Sequence, residues 1–368
     1  MKEINITPQS NPNEQNSLQG IQGLLRENIR KLIPYSSARD EFKGEASVYL
    51  DANENSFGSP LNTQFNRYPD PLQLAVKKRI SEIKGVPPQN IFLGNGSDEA
   101  IDILFRAFCR PGIDNVITLP PTYGMYEVSA NINDVAVKKV RLTEDYQLDL
   151  EAIAEAIDEN TKLIFICSPN NPTANSIYRE DIETILANFK GLVVIDEAYI
   201  NYSRQKTFIQ ELTEYSNLVI LQTLSKAWGL AGLRVGMAFA SEEIIEVFNK
   251  VKPPYNINEA SQQLALEALH NIDEVNGWIR ETVHQREKLT AELASLPVVV
   301  KIFPSDANFI LAKTTDAAGI YQFLVDHGII VRDRSKVELC VGSLRITVGT
   351  PEENALLIET LKKYSSAL

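Results

Sequence analysis

The sequence predicts an α/β fold, with a large domain built on a mostly parallel sheet flanked by helices, followed by a smaller α+β domain. Three observations carry that expectation. Short, near-continuous apolar runs alternate with amphipathic helical patterns from about residue 90 to residue 240, as strands buried on both faces of a parallel sheet do. The texture changes at Lys252-Pro253-Pro254, where a long helical stretch gives way to short strands and helices. The length of 368 residues suits about two domains and a core that needs neither disulfide nor metal to hold it.

Residues 1–20 are rich in Asn, Gln, Ser and Pro and are expected to form a flexible tail, with too little apolar surface to order itself. The apolar run Ile91–Leu93 is followed by Gly94-Asn95-Gly96-Ser97, and Ser97 can cap a helix whose Ile101, Leu104, Phe105 and Phe108 share one face. Val116–Leu119 and Val135–Leu142 read as strands, Leu148–Ile157 as a helix and Lys162–Cys167 as a strand closed by the turn-rich Ser168–Thr173. A helix over Asp181–Phe189 and strands over Leu192–Ile195, Leu218–Leu221 and Val235–Ala240 complete the large sheet. Beyond it, one helical stretch is expected from Asn258 to about Leu296, bent near Gly277. Strands at Val298–Phe303, Asn308–Ala312, Ile329–Arg332 and Leu344–Val348 follow, with a helix near Ile320–Val325. Pro351 suits the first turn of a last helix, where its missing N–H is harmless.

Composition narrows the function. With 36 Lys+Arg against 48 Asp+Glu the net charge is −12, which argues against a nucleic-acid surface. Cys109, Cys167 and Cys340 are odd in number and far apart, and His270, His284 and His327 are scattered, so neither a disulfide framework nor a metal site is expected. That cysteine usage fits the cytoplasm, and the polar start of the chain is not expected to act as a signal peptide. No apolar run is long enough to cross a membrane as a helix.

In open α/β sheets ligands sit outside the carboxyl ends of the strands, so the polar residues after each strand are the candidates. Gly96, Ser97 and Asp98 precede a helix and either hold an anion on free N–H groups or simply make a tight turn. Asp196 ends a strand and is either a counter-ion for a cationic ring nitrogen or half of a structural ion pair. A phosphate-loop hydrolase is excluded, because the dipeptide Gly-Lys does not occur. Lys226 lies among small and apolar residues. It is either an ordinary surface lysine or a desolvated amine able to condense with a carbonyl. Arg234, Thr223 and Ser225 could neutralise and bond a phosphate; Tyr123 could stack on a flat ring or pack at the sheet edge; Asn171 could reach a ring hydroxyl or only make the turn. Arg332 and Arg345 could take a substrate anion by bidentate bonds or stay solvated.

These residues sit in motifs that, in order, resemble the fold-type I pyridoxal-phosphate-dependent aminotransferases. The motifs are LDANENSFG (Leu50–Gly58), RYPDP (Arg67–Pro71), GNGSDEAID (Gly94–Asp102), PPTYGMY (Pro120–Tyr126), SPNNPT (Ser168–Thr173), VIDEAYI (Val194–Ile200), TLSKAWGLAGLRVG (Thr223–Gly236), PPYNIN (Pro253–Asn258), PSDANF (Pro304–Phe309) and LRITVGTPEEN (Leu344–Asn354). Within the family they resemble the branch that acts on L-histidinol phosphate with 2-oxoglutarate, in histidine biosynthesis. The resemblance implies pyridoxal 5′-phosphate as cofactor. Lys226 would hold it covalently and later move the proton, and Asp196 would pair with the ring nitrogen. Tyr199 and Asn171 would bond the ring oxygen, and Tyr123 would stack on the ring. Gly96, Ser97, Asp98, Thr223, Ser225 and Arg234 would bind its phosphate. Tyr68 would reach that phosphate from a partner subunit, which implies a homodimer with shared active sites. Arg345 and Arg332, with Asn171, would hold the substrate's anionic end.

The implied division is a segment over 21–60 serving the small domain and the dimer, a cofactor-binding domain over 61–262 and a small domain over 263–368. Aminotransferases for aromatic or other amino acids, and decarboxylases of phosphorylated amino acids, share most cofactor residues and stay open as alternatives. A non-enzymatic sensor would need a basic helix-turn-helix before the core, and no such pattern is present. One departure stands out: the family reads glycine after SPNNPT, where this chain has Ala174. A glycine there permits a positive φ that alanine adopts at a cost.

Overall fold

The computed structural model describes residues 20–35 and 46–366; the expected tail over 1–20 lies outside them except for Gly20. Seven strands form the large sheet: β1 (Ile91–Asn95), β2 (Asn115–Thr118), β3 (Ala136–Lys139), β4 (Thr161–Cys167), β5 (Leu192–Asp196), β6 (Leu218–Thr223) and β7 (Val235–Ala240), in the order β1-β7-β6-β5-β4-β2-β3. β7 pairs antiparallel with both β1 and β6, while β6, β5, β4, β2 and β3 run parallel. All strands but β7 therefore point their carboxyl ends at one edge.

The side-chain alternation of a strand sorts the core into two layers. Along β4 and β5, Ile164, Ile166, Val193 and Ile195 face one layer, with Val76, Ile80 and Ile182. Leu163, Phe165, Cys167, Leu192 and Val194 face the other, with Ile101, Phe105, Tyr126 and Phe248. The large-sheet helices are α1 (Leu74–Lys84), α2 (Ser97–Phe108), α3 (Met125–Ile132), α4 (Leu150–Ala156), α5 (Arg179–Asn188) and α6 (Glu242–Val251). The apolar stripe read from α2 is buried as its spacing requires, but Gly96 occupies the cap position and Ser97 is the first helical residue, without a side-chain cap. At the N-terminal segment, Ile21, Leu25 and Ile29 pack with Phe92, Phe105 and Phe108 on the large sheet rather than in the small core, and the Arg26 N–H donates to the Ala107 carbonyl at 3.0 Å.

The stretch after Asn258 is two helices, α7 (Glu259–Leu269) and α8 (Ile272–Ala294). The break falls at His270–Asn271, and Gly277 lies inside α8, so the expected bend is displaced by about two turns. The side chain of Asn258 starts α7 by accepting from the Ser261 N–H at 2.8 Å. A second, antiparallel sheet follows: β8 (Val299–Ile302), β9 (Phe309–Thr314), β10 (Arg332–Asp333) and β11 (Ser343–Thr347), ordered β10-β11-β9-β8. It packs with α8, α9 (Ala317–Asp326) and α10 (Pro351–Ser366) around Leu289, Leu293, Ile310, Leu324, Ile346 and Leu361. Among the described residues no helix is long and apolar enough to cross a membrane.

Candidate active site

The carboxyl ends of β1, β2, β4, β5 and β6 open onto one pocket, lined by Gly96, Ser97, Asp98, Tyr123, Cys167, Asn171, Asp196, Ala198, Tyr199, Thr223, Ser225, Lys226 and Arg234. The candidates, which follow five different strands in sequence, are thus brought to one place, and Tyr68 alone among the expected cofactor residues lies elsewhere.

Asp196 forms the floor. It ends β5 in register with Cys167 of β4, and its carboxylate is fully enclosed. Oδ2 accepts from the Tyr126 hydroxyl at 2.7 Å and Oδ1 from the Ala198 N–H at 3.1 Å. Burial nonetheless pushes this carboxyl above the usual range, against the pull of those two donors. A cation placed in the pocket would restore its charge. Tyr126 carries no assigned role in the sequence reading; its contact spans seventy residues and depends on how α3 is rotated, so no local pattern signals it.

At the opposite end the first turn of α2 presents N–H groups with no helical partner, at the positive end of the helix dipole. Gly96 holds φ at 73°, and a Cβ there would meet Arg234 Nη2 at 2.6 Å. Arg234 is itself left-handed, with φ 56°, which swings its guanidinium to 3.5 Å from Asp98 Oδ2 and 3.4 Å from Ser225 Oγ. Asp98 Oδ1 also accepts from the Tyr123 hydroxyl at 3.1 Å, so the carboxylate is held between Tyr123 and Arg234. Thr223 Oγ1 accepts from the Ser225 N–H at 3.1 Å and fixes the loop leading to Lys226.

Lys226 Nζ lies 5.6 Å over the Tyr199 ring. Burial lowers its pKa first, and Arg345 and Arg234 add to the effect, against Asp196 and Asp98. Tyr199 is buried and its phenol is held above its ordinary value by burial, so it remains a donor.

A second hollow adjoins the first and shares Tyr123, Asn171, Tyr199 and Lys226 with it. Its far wall carries Arg332, Arg334 and Arg345. Arg332 and Arg345 are register partners across β10 and β11, and Arg345 Nη1 donates to Asn171 Oδ1 at 2.5 Å. Arg334 is absent from the sequence candidates, although the alternation of Val331-Arg332-Asp333-Arg334 puts both arginines on one side of an extended chain. Tyr68 is half exposed and stacks on Tyr255, with ring centroids 4.5 Å apart, in a separate surface hollow beside Glu54 and Arg67.

Ala174 adopts the positive φ, 71°, that its place after Thr173 demands of a glycine. It is fully buried against Tyr199, Tyr202, Ala227, Ala307 and Phe309, and its N–H donates to the Asn170 carbonyl at 2.8 Å. The loop keeps its turn, and Asn171 keeps its place in the pocket.

Residues 47–361 match the family described as aminotransferase class I and II. The histidinol-phosphate aminotransferase of Bacteroides thetaiotaomicron is 55% identical over 345 residues, covering 94% of this chain and 99% of the relative. That of Cytophaga hutchinsonii is 54% identical over 344 residues with the same coverage. Among solved structures, the histidinol-phosphate aminotransferase of Clostridium acetobutylicum superposes with a TM-score of 0.76 at 24% identity, over 83% of this chain and 92% of the other. The enzyme of Sinorhizobium meliloti, solved in complex with pyridoxal-5′-phosphate, gives 0.75 at 24% identity over 86% and 90%. A threonine-phosphate decarboxylase from Porphyromonas gingivalis shares the fold at 0.68, so the fold alone does not separate transamination from decarboxylation. The family match over residues 47–361 and the identity over nearly the whole length agree: the chain belongs to the aminotransferase class I and II family.

Proposed function

We propose that the chain binds pyridoxal 5′-phosphate and transfers the amino group of L-histidinol phosphate to 2-oxoglutarate. The observation that carries the reading is the single pocket in which an enclosed carboxylate, an aromatic wall, a desolvated lysine and an N–H cradle meet. The residues fit the cofactor. Asp196 lacks a cation that a protonated ring nitrogen supplies, Tyr123 offers a flat face, and Ser97, Ser225, Thr223 and Arg234 suit a phosphate. When bound, pyridoxal phosphate supplies an aldehyde that condenses with amines and a ring that withdraws electrons from the substrate carbon.

The remaining chemistry belongs to the protein. Asp196, held by Tyr126 and the Ala198 N–H, would pair as a carboxylate with the protonated ring nitrogen. Lys226 Nζ, once free as an amine, would take the proton from the substrate's amine-bearing carbon and, as the conjugate acid, deliver it to the carbon that carried the cofactor's aldehyde. Its lowered pKa keeps the amine in the basic form closer to neutral pH than an exposed lysine would be. Asn171 and Tyr199 would hold the ring oxygen, and Arg345 and Arg332 would bind the phosphate of one substrate and the carboxylate of the other.

The narrow substrate rests on relatives of 54–55% identity over 94% of the chain. A homodimer is supported by the exposed Ile33, Tyr35, Leu50, Phe57, Leu61 and Tyr68, crowded on the segment before α1. Work in the cytoplasm is supported by three buried free thiols, Cys109, Cys167 and Cys340. Side-by-side turnover of histidinol phosphate and phenylalanine with 2-oxoglutarate tests the reading. Faster turnover of histidinol phosphate is expected, and a clear preference for phenylalanine would sink it.

A further inference from the structure

The wall of the second hollow holds more positive charge than a carboxylate needs. Arg332 and Arg345 face each other across two strands, and Arg334 follows Arg332 at the spacing that returns a side chain to the same face. The Arg334 N–H donates to the Ser343 carbonyl at 2.9 Å, which carries the strand pairing one step past β10 and fixes the residue's orientation. Asp333, between the two arginines, points the other way by the same alternation, and its Oδ1 accepts from the Ser335 N–H at 2.8 Å. Among the described residues no acidic side chain forms an ion pair with Arg332, Arg334 or Arg345.

Arg334 is the least satisfied of the three. Among the described residues its side chain makes no hydrogen bond, and Nε is enclosed without a partner there. Arg345, by contrast, spends Nη1 on Asn171. A half-buried guanidinium beside two others, with no carboxylate, is unfavourable unless an anion joins it. One carboxylate satisfies a single planar fork; a phosphate monoester carries about two negative charges near neutral pH and three free oxygens.

We propose that Arg334 is a third arginine of the anionic subsite and selects a phosphate end over a carboxylate end. This rests on the function proposed above and adds a residue that decides between its two substrates. Arg345 and Arg332 serve both substrates, whereas Arg334 supplies the donors and charge that only the second anionic charge of a phosphate repays.

The test measures kcat/KM for histidinol phosphate and for glutamate on the holoenzyme, in wild type, Arg334→Gln and Arg334→Lys. The ratio of the two should fall about ten- to a hundredfold in Arg334→Gln, with the loss in KM rather than kcat, because the anionic end is bound alike in ground and transition states. Arg334→Lys keeps the charge without the fork and should fall in between, and it decides the matter if Arg334→Gln does not fold. A ratio unchanged in both variants, or equal losses on both substrates, overturns the proposal. A wild-type enzyme that turns over glutamate and ignores histidinol phosphate overturns the functional reading instead, which separates the two failures.

Discussion

The two walls of the site handle charge in opposite ways. On the large-sheet side the groups answer one another: Asp196 has Tyr126 and an N–H, and Asp98 has both Tyr123 and Arg234. On the small-sheet side three arginines stand together, and among the described residues only Arg345 has a side-chain hydrogen-bond partner, the neutral Asn171. The first arrangement holds its shape without a ligand, as a resident group needs. The second stores electrostatic cost that an incoming anion relieves, as a site for exchanging substrates needs. Burial and the neighbouring Arg334 and Arg332 all depress the Arg345 pKa, which is that cost seen from one residue.

The largest effect should come from Lys226, one of the residues that line both hollows. Lys226→Ala is expected to lower turnover by at least about a thousandfold, since it removes the proton carrier as well as the covalent anchor. Steady-state rates and the loss of the near-ultraviolet to visible absorption of the bound cofactor check it. Turnover near wild type would falsify the role assigned to Lys226.

Next comes the arginine wall. Arg345→Ala should raise KM for both substrates by roughly ten- to a hundredfold, as a bidentate anion contact is lost. It should also move a pH profile in a stated direction. Arg345 disfavours the ammonium form of Lys226, so removing it raises the Lys226 pKa, and the free amine appears at higher pH. The rate at which the apoprotein captures pyridoxal phosphate, followed against pH, should shift to the alkaline side. A shift to the acid side, or none, would separate the two walls electrostatically and break the comparison.

Tyr126→Phe probes the satisfied wall and should do less. One of two donors to Asp196 is lost, worth about 0.5–1.5 kcal/mol, or about a two- to tenfold fall in turnover. The Asp196 carboxyl should titrate higher still, so activity should decline earlier as pH falls. An unchanged acid limb would show that the Ala198 N–H suffices.

Legibility in the sequence follows the same division. The large-sheet wall was readable because each of its residues follows a strand, and parallel strands carry their carboxyl ends to one edge. Tyr126 was not, since it sits in the first turn of α3 and reaches Asp196 through the packing of that helix on the sheet, not from a strand end. Arg334 was not, because β10 is two residues long and a third arginine reads locally as solvated. The break between α7 and α8 falls elsewhere than a weak helix former suggests: Gly277 lies inside α8 without interrupting it.

The smallest expected effect concerns Ala174, where glycine looks the better residue. Relief of the positive φ should favour Ala174→Gly by about 1–2 kcal/mol. Against it stand the buried methyl, about 0.8 kcal/mol, and the extra freedom of glycine in the unfolded chain, about 0.5–1 kcal/mol. The terms nearly cancel, so Ala174→Gly should alter stability by less than about 1 kcal/mol, read as a denaturant midpoint at constant slope. Ala174→Val tests the other side of the balance. A β-branched residue at this φ, in an enclosed space beside Tyr199 and Phe309, should cost more than about 2 kcal/mol. If glycine instead stabilised the chain by several kcal/mol, the methyl packing would count for nothing. The alanine would then be a second strained backbone position besides Arg234, on a wall that satisfies its charges but not every backbone angle.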